Sequence, residues 1–315
     1  MLKYIIKRLL ALIPVLFGVT VLVFLIMHLS PGDPAQIILG PKATAESLNS
    51  MRHQLGLDLP LYQQYFRWIG NALQGDWGRS IQLKREVLPL VANRFKATAI
   101  LTVFAATIAI LFGTFAGIIS STKQYSFWDR FLMLLALIGF CLPVFWLGLM
   151  LQIVFGLQLG WMPVSGMHSP GETGFLDMLK YLMLPGLSLA AASTAEIARM
   201  TRSSMLEVIR QDYIKTARAK GLSERVVVYK HAFRNALIPV VTIIGLQIGN
   251  LLAGAVLVEI VFSWPGIGSL MVNGILARDF PLVQGTILFV ATAYVFVNLI
   301  VDIVYAYLDP RIMYN

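Results

Sequence analysis

The stretch ATAILTVFAATIAILFGTFAGIISST, residues 97–122, carries no charged side chain, and its reading decides the fold. About 20 apolar residues in helical form cross the hydrocarbon of a bilayer, and inside it a spanning helix satisfies its own backbone N–H and C=O groups. Working outward, further uncharged runs of spanning length lie at 9–29, 131–157, 235–258 and 280–301. A sixth, 181–198, is shorter and carries Glu196 near one end. The whole chain of 315 residues is 57% hydrophobic and 13% charged, with a mean hydropathy of +0.74. That composition lies outside the range of water-soluble domains. The sequence therefore predicts an all-α integral membrane protein with six transmembrane helices. The first apolar run is too long for a cleaved signal peptide, and no small-residue cleavage site follows it.

Charge placement predicts the orientation. With both termini cytoplasmic, Lys3, Lys7, Arg8, Lys123, Arg130, Arg311 and nine basic residues between 199 and 234 lie inside, while the two short outer loops keep only Lys180 and Arg278. Short loops rich in Lys and Arg stay on the cytoplasmic side. The segment 30–96 holds eight basic residues, but loops beyond about 60 residues largely escape this bias. The net charge of +9 thus reads as topology and as attraction to anionic membrane lipid, with no nucleic-acid partner. The single cysteine, Cys141, lies in an apolar run, which leaves no disulfide framework and no thiolate metal site.

The expected organisation has three parts: an N-terminal segment with the first span, 1–29; an extracytoplasmic loop domain, 30–96; and a core with five spans, 97–315, that includes the cytoplasmic segment 199–234. The loop domain opens with the turn signature PGDP, shows Leu61, Tyr65, Trp68 and Leu73 at helical spacing, and has tight-turn composition at GDWGRS. Spans are joined inside by a brief hairpin at KQYSFWDR. Outside they are joined by GMHSPGETGF and by FSWPGIGSL, where Gly and Pro predict a bent re-entry.

Some spans carry more than a lipid-facing helix needs. Gly245, Gly249 and Ala253 recur every fourth residue, which lines up a stripe suited to close approach of another helix. Gln247 and Asn250 lie near it, and Tyr294, Asn298, Asp302 and Tyr305 share a face of the last span. Polar groups in hydrocarbon face protein or a wet cavity. Bonds between helices and contact with a translocated solute are both open readings for them.

The longest charged run is DYIKTARAKGLSERVVVYKHAFRNALIP, 212–239. Ser204 and Glu207 have capping-box spacing, and Met205, Ile209, Tyr213 and Ala217 follow at four-residue intervals, which predicts an amphipathic helix ending at Gly221. Ser223 is placed to cap a second short helix through about Tyr229, lying across the membrane surface. The segment is then helix, glycine turn, helix. A basic loop that only fixes topology and binds headgroups accounts for the same composition.

The pieces PGDP, RQDYIKTARAKG, HAFRNALIPVVT, GLQIGNLLAGA, FSWPGIG and RDFPLVQG resemble the membrane permease subunits of bacterial ABC importers, in the dipeptide, oligopeptide, glutathione and nickel group. The likeness runs the length of the chain. In the wider superfamily the inner loop carries Glu-Ala-Ala, three residues, then Gly. Here Lys215, Thr216 and Ala217 precede Gly221, so only the second Ala and the Gly match. The superfamily's Leu-Pro beyond that Gly is replaced by Phe233 and Arg234, with Pro239 later, a departure typical of the peptide-type branch.

The resemblance implies a type I importer permease fold and a non-catalytic channel subunit in the bacterial inner membrane. It implies an ATPase-coupling segment made of Lys215, Thr216, Ala217, Arg218, Ala219, Lys220, Gly221, Leu222, Ser223, Glu224, Arg225 and Tyr229. The partners implied are a second, paralogous permease packed on the small-residue stripe, two ATP-binding subunits holding ATP and magnesium, and an extracytoplasmic substrate-binding protein. The cargo implied is di- or oligopeptide, with glutathione or a nickel complex as alternatives.

Residue chemistry bears on the competing classes. No Gly-Lys dipeptide occurs, so the phosphate-cradling loop of ATPases is missing from this sequence. An ion-coupled secondary transporter predicts inverted repeats, and none is visible. His28, His53, His168 and His231 are scattered without metalloprotease spacing, and no Gly-x-Ser-x-Gly nucleophile is present, which leaves no catalytic or metal residues to name.

Overall fold

The computed structural model describes residues 2–29, 34–40 and 43–308. Among the described residues every named element is a helix, and the sole strand-like pairing is an isolated bridge between Arg79 and Glu86. The helices are α1 (Leu2–Leu29), α2 (Pro34–Leu39), α3 (Ala45–Leu55), α4 (Leu61–Leu73), α5 (Val87–Thr122), α6 (Phe127–Cys141) and α7 (Val144–Leu151), which continues as a π-turn, Gln152–Gln158. There follow α8 (Phe175–Ile209), α9 (Asp212–Ala219), α10 (Glu224–Val226), which winds through a π-turn, Val227–Phe233, into α11 (Arg234–Val261), then α12 (Ile267–Leu276) and α13 (Phe280–Leu308). Five helices have the length and apolarity to cross a membrane, or six with α6 and α7 taken together.

Two compact units form, one from 97–268 with 297 onward, the other from 2–96 with 269–296. Residues 269–296 thus pack with residues 2–96.

In the first unit α8 is the most enclosed span. It is flanked by Leu101, Ala105 and Ala109 of α5 and by Leu251, Ala255 and Val258 of α11, all in one apolar core. The approach of α5 depends on glycine. A Cβ on Gly113 would sit 2.8 Å from the Thr194 carbonyl oxygen, and one on Gly117 would sit 2.5 Å from Thr201 Cβ. Four residues apart, these two form the small-residue seam that lets spans touch backbone to backbone.

Three expectations are corrected here. The run 131–157 is not one straight span: α6 and α7 meet at 107°. Pro143 causes the break, since it lacks an N–H and forces the preceding Leu142 into extended backbone, φ −77° and ψ 130°. Ser204 does not cap a helix, because α8 runs unbroken from Phe175 to Ile209 and buries Ser204 in its interior. The helix after Ser223 does not stop near Tyr229; it passes through the π-turn into α11, a continuous Glu224–Val261 rod.

The chain turn after α11 is locked by buried groups. Trp264, fully buried, donates from Nε1 to the Ala97 carbonyl at 2.9 Å. Thr98 Oγ1 donates to the buried Glu259 carboxylate and accepts the Ile267 N–H at 2.8 Å. A Cβ on Gly266 would overlap that carboxylate. These contacts turn FSWPGIG sharply and start α12.

In the second unit, α3 is capped by Thr44, which accepts the Ser47 N–H, and ends at Gly56 with φ +69°. Phe24 of α1 meets Tyr65 and Trp68 of α4 at ring separations of 5.5 and 6.2 Å. In GDWGRS, Gly75 and Gly78 take positive φ. Asp279 organises the start of α13, accepting from Ser80 Oγ, from Gln82 N at 3.0 Å and from Leu282 N at 3.3 Å. The predicted PGDP turn lies, in residues 31–33, outside the described residues.

Candidate functional site

At the end of α8 the chain breaks at Arg210 and Gln211, runs through α9, turns at Gly221 and starts α10. Gly221 has φ +76°, the left-handed geometry that lets its N–H reach back to the Arg218 carbonyl at 2.9 Å while Lys220 N bonds the Thr216 carbonyl at 3.0 Å.

The knuckle has a dry side and a wet side. On the dry side Ile214 and Ala217 of α9 pack with Met205 of α8, Val227 and Ala232 of the π-turn and Ala236 of α11, all buried. One apolar seam therefore joins α9 to the ends of two spans. On the wet side lie Lys215, Thr216, Arg218, Ala219, Lys220, Gly221, Leu222, Ser223, Glu224, Arg225 and Tyr229, every one exposed. Of the twelve residues in the expected coupling segment only Ala217 is buried, because its small side chain forms part of the seam.

Polar contacts stiffen the turn. Arg218 reaches across Gly221 to Glu224, Nε to Oε1 at 2.8 Å and Nη2 to Oε2 at 3.3 Å. Asn235 of α11 donates to Tyr213 OH of α9 at 2.7 Å. Lys215 donates to Asp212 at 2.8 Å, and this bond to the ammonium holds the Asp212 carboxyl below the usual carboxylate range, at the first turn of α9 where a negative charge suits the helix dipole. One level up, Arg202 of α8 forks onto Asp129 of α6 at 2.8 and 2.9 Å, tying a third element to the same base.

The span-lining candidates divide. Gln247 is buried and accepts from Ser193 Oγ of α8 at 2.9 Å and from Asn250 Nδ2 at 3.4 Å, so it serves as a bond between spans. Asn250 and Tyr294 are exposed and Asn298 is half-buried. Gly245 and Gly249 are buried within the chain, so of the expected stripe for a second permease only Ala253 remains exposed. The Tyr305 side chain lies outside the described residues.

The Gly113–Gly117 seam and the Arg199–Phe140 ring contact escaped the sequence reading. Gly113 and Gly117 form the tight span contact, and their four-residue spacing was available as a signal. Glu196 and Arg199 pair on α8 at 2.8 Å, with the Arg199 guanidinium 4.4 Å from the centre of the Phe140 ring. The i, i+3 spacing was visible in sequence, while the ring contact depends on tertiary structure.

Comparison with known proteins adds to this geometry. Residues 109–314 match the family described as binding-protein-dependent transport system inner membrane component, and residues 1–102 match its N-terminal region. A dipeptide transport system permease protein of Alkalihalophilus pseudofirmus is 46% identical, with all of each chain covered. A glutathione transport system permease protein of Escherichia coli strain K12 is 47% identical, again with all of each chain covered. Among solved structures, a methionine ABC transporter in an inward-facing conformation superposes with a TM-score of 0.58 at 15% identity, covering 70% of this chain and 96% of that one. An amino acid ABC transporter crystallised with histidines gives 0.52 at 15%, covering 71% and 94%. These two likenesses show the type I permease fold.

Proposed function

Because the chain belongs to the family of binding-protein-dependent transport system inner membrane components, a group of multi-pass ABC importer permeases, we propose that it forms one half of a peptide translocation path. The other half is a second, paralogous permease. Two ATP-binding subunits, which hold the ATP and magnesium, drive the pair from the cytoplasm, and an extracytoplasmic binding protein delivers cargo. Both termini are cytoplasmic in this reading, as the Lys and Arg distribution favours. The chain itself binds no cofactor and catalyses nothing.

The observation that carries the proposal is the two-sided knuckle: an exposed, stiffened α9–Gly221–α10 surface whose buried face is continuous with α8 and α11. A span in lipid does not sense nucleotide. When the ATPase pair closes, the motion reaches the membrane as a displacement of α9, and the Met205–Ile214–Val227–Ala236 seam passes it to two spans at once. Packed interfaces switch between discrete arrangements, so a small push becomes helix tilting. Neutral groups, Asn250, Tyr294 and Asn298, line the route in this scheme, and weak polar contacts let cargo leave. Gln247 positions Asn250.

Di- or oligopeptide cargo, glutathione included, is supported by the names of the relatives above. The test is uptake by proteoliposomes holding the complete complex and its binding protein. Peptide accumulation that requires ATP inside supports the proposal. Accumulation driven by an ion gradient without ATP contradicts it.

A further inference from the structure

The second unit contains a cavity of about 450 Å³ that the scheme above leaves unused. Its walls come from the end of α1, from α4, from the GDWGRS turn and from the start of α13. That volume falls within the range of small-ligand sites.

The lining is chemically specific. Arg67 faces the cavity, and among the described residues no hydrogen bond or ion pair reaches its guanidinium. It lies across Gly56, where a Cβ would come within 3.1 Å of its Nη1, so the glycine leaves room for the guanidinium over the end of α3. Asn71 and Gln284, also on the wall, likewise have side-chain amides without a partner among the described residues. Asp76 gives one carboxylate oxygen to the Gly78 N–H at 3.0 Å. Trp68 and Trp77 supply half-buried ring surface, the Trp77 indole N–H already being taken by the Ala72 carbonyl at 3.1 Å.

Each group has a complement in a short peptide. A guanidinium with no acid beside it offers a two-pronged donor to a free carboxylate. Carboxamides donate to and accept from peptide groups in either direction. Indole faces take apolar side chains, and the second Asp76 oxygen suits an ammonium. Resting on the reading of the chain as a peptide-importer permease, we propose that this cavity is an extracytoplasmic receiving site for short peptides, with Arg67 holding the terminal carboxylate.

The probe is a tripeptide carrying a diazirine side chain, added to the full complex in lipid nanodiscs without binding protein or ATP. Adducts are mapped by mass spectrometry, with trialanine and its C-terminal amide as competitors. The site predicts adducts within 54–81 that trialanine suppresses and its amide does not. Arg67→Gln then weakens competition by about tenfold, as the loss of a charge-assisted bond does. Asn71→Ala, which keeps every charge, weakens it less. Absence of adducts there, equal competition by acid and amide, or an unchanged Arg67→Gln complex of wild-type melting temperature each overturns the proposal. Peptide uptake by the wild-type complex is measured in parallel. Uptake with a silent cavity removes this inference alone, whereas no ATP-driven peptide uptake removes the functional reading beneath it.

Discussion

Arg202 grips Asp129 with two parallel hydrogen bonds, 2.8 and 2.9 Å, across 73 positions of sequence, and Asp129 also accepts the Tyr125 N–H at 3.0 Å. The pair fixes the start of α6 to the lower part of α8. The Asp129 side chain is only 5% exposed, so removing one partner strands a charge and costs on the order of 3 kcal/mol. Arg202→Lys keeps the charge and loses the fork. Melting of the purified complex is predicted to fall for Arg202→Gln and, by less, for Arg202→Lys. Equal melting of all three proteins contradicts the structural role.

Gly221 gives a separable test. Nothing lies within 4 Å of a Cβ built there, yet φ is +76°. Any effect of substitution is therefore conformational. Gly221→Asn, which tolerates left-handed backbone, is predicted to transport normally. Gly221→Val inserts and assembles but loses peptide uptake per ATP hydrolysed, because a β-branched residue at positive φ costs at least 1 kcal/mol or so and the turn reopens. Uptake and hydrolysis measured on the same vesicles separate coupling from expression. Normal uptake by a well-expressed Gly221→Val complex refutes the role of the turn.

The seam predicts an uncoupling of a different kind. Ile214→Ala leaves a cavity between α9 and the span ends, worth roughly 2–4 kcal/mol locally. The exposed surface is unchanged. ATPase subunits should therefore still bind, measured by co-purification, while uptake falls. Exposed Arg225→Ala is predicted to do the reverse, weakening association with little change in melting.

At the other end of the first unit, Trp264→Phe removes the second bond to the Ala97 carbonyl, an oxygen that keeps its place in the helical ladder of α5. The cost is about 0.5–1.5 kcal/mol. Gly266→Ala forces a methyl against the Glu259 carboxylate and is predicted to be the more damaging of the two. Melting temperatures rank them.

The membrane class was legible because it depends on local pattern. Uncharged runs set the spans, and exposure of eleven of the twelve residues proposed for coupling follows from a charged amphipathic stretch around one glycine. Helix boundaries there were misread, since Ser204 and Glu207 have a capping-box spacing that a continuous α8, with Ser204 buried in its interior, overrides. The bend at Pro143 was readable from the proline alone, but the run around it is apolar enough to mask it. Gln247 could not be assigned from sequence, because its acceptor role depends on Ser193, fifty-four residues away.

In the proposed scheme the wet side of the knuckle seats on an ATPase subunit and carries its motion inward. The direct measurement is disulfide crosslinking of Leu222→Cys to single cysteines on the ATPase in the assembled complex, with peptide uptake recorded before and after reduction. A crosslink that forms, stops uptake and releases it on reduction is the predicted result. No adduct from Leu222→Cys, Lys220→Cys or Lys215→Cys, in a complex that still imports peptide with ATP, contradicts it.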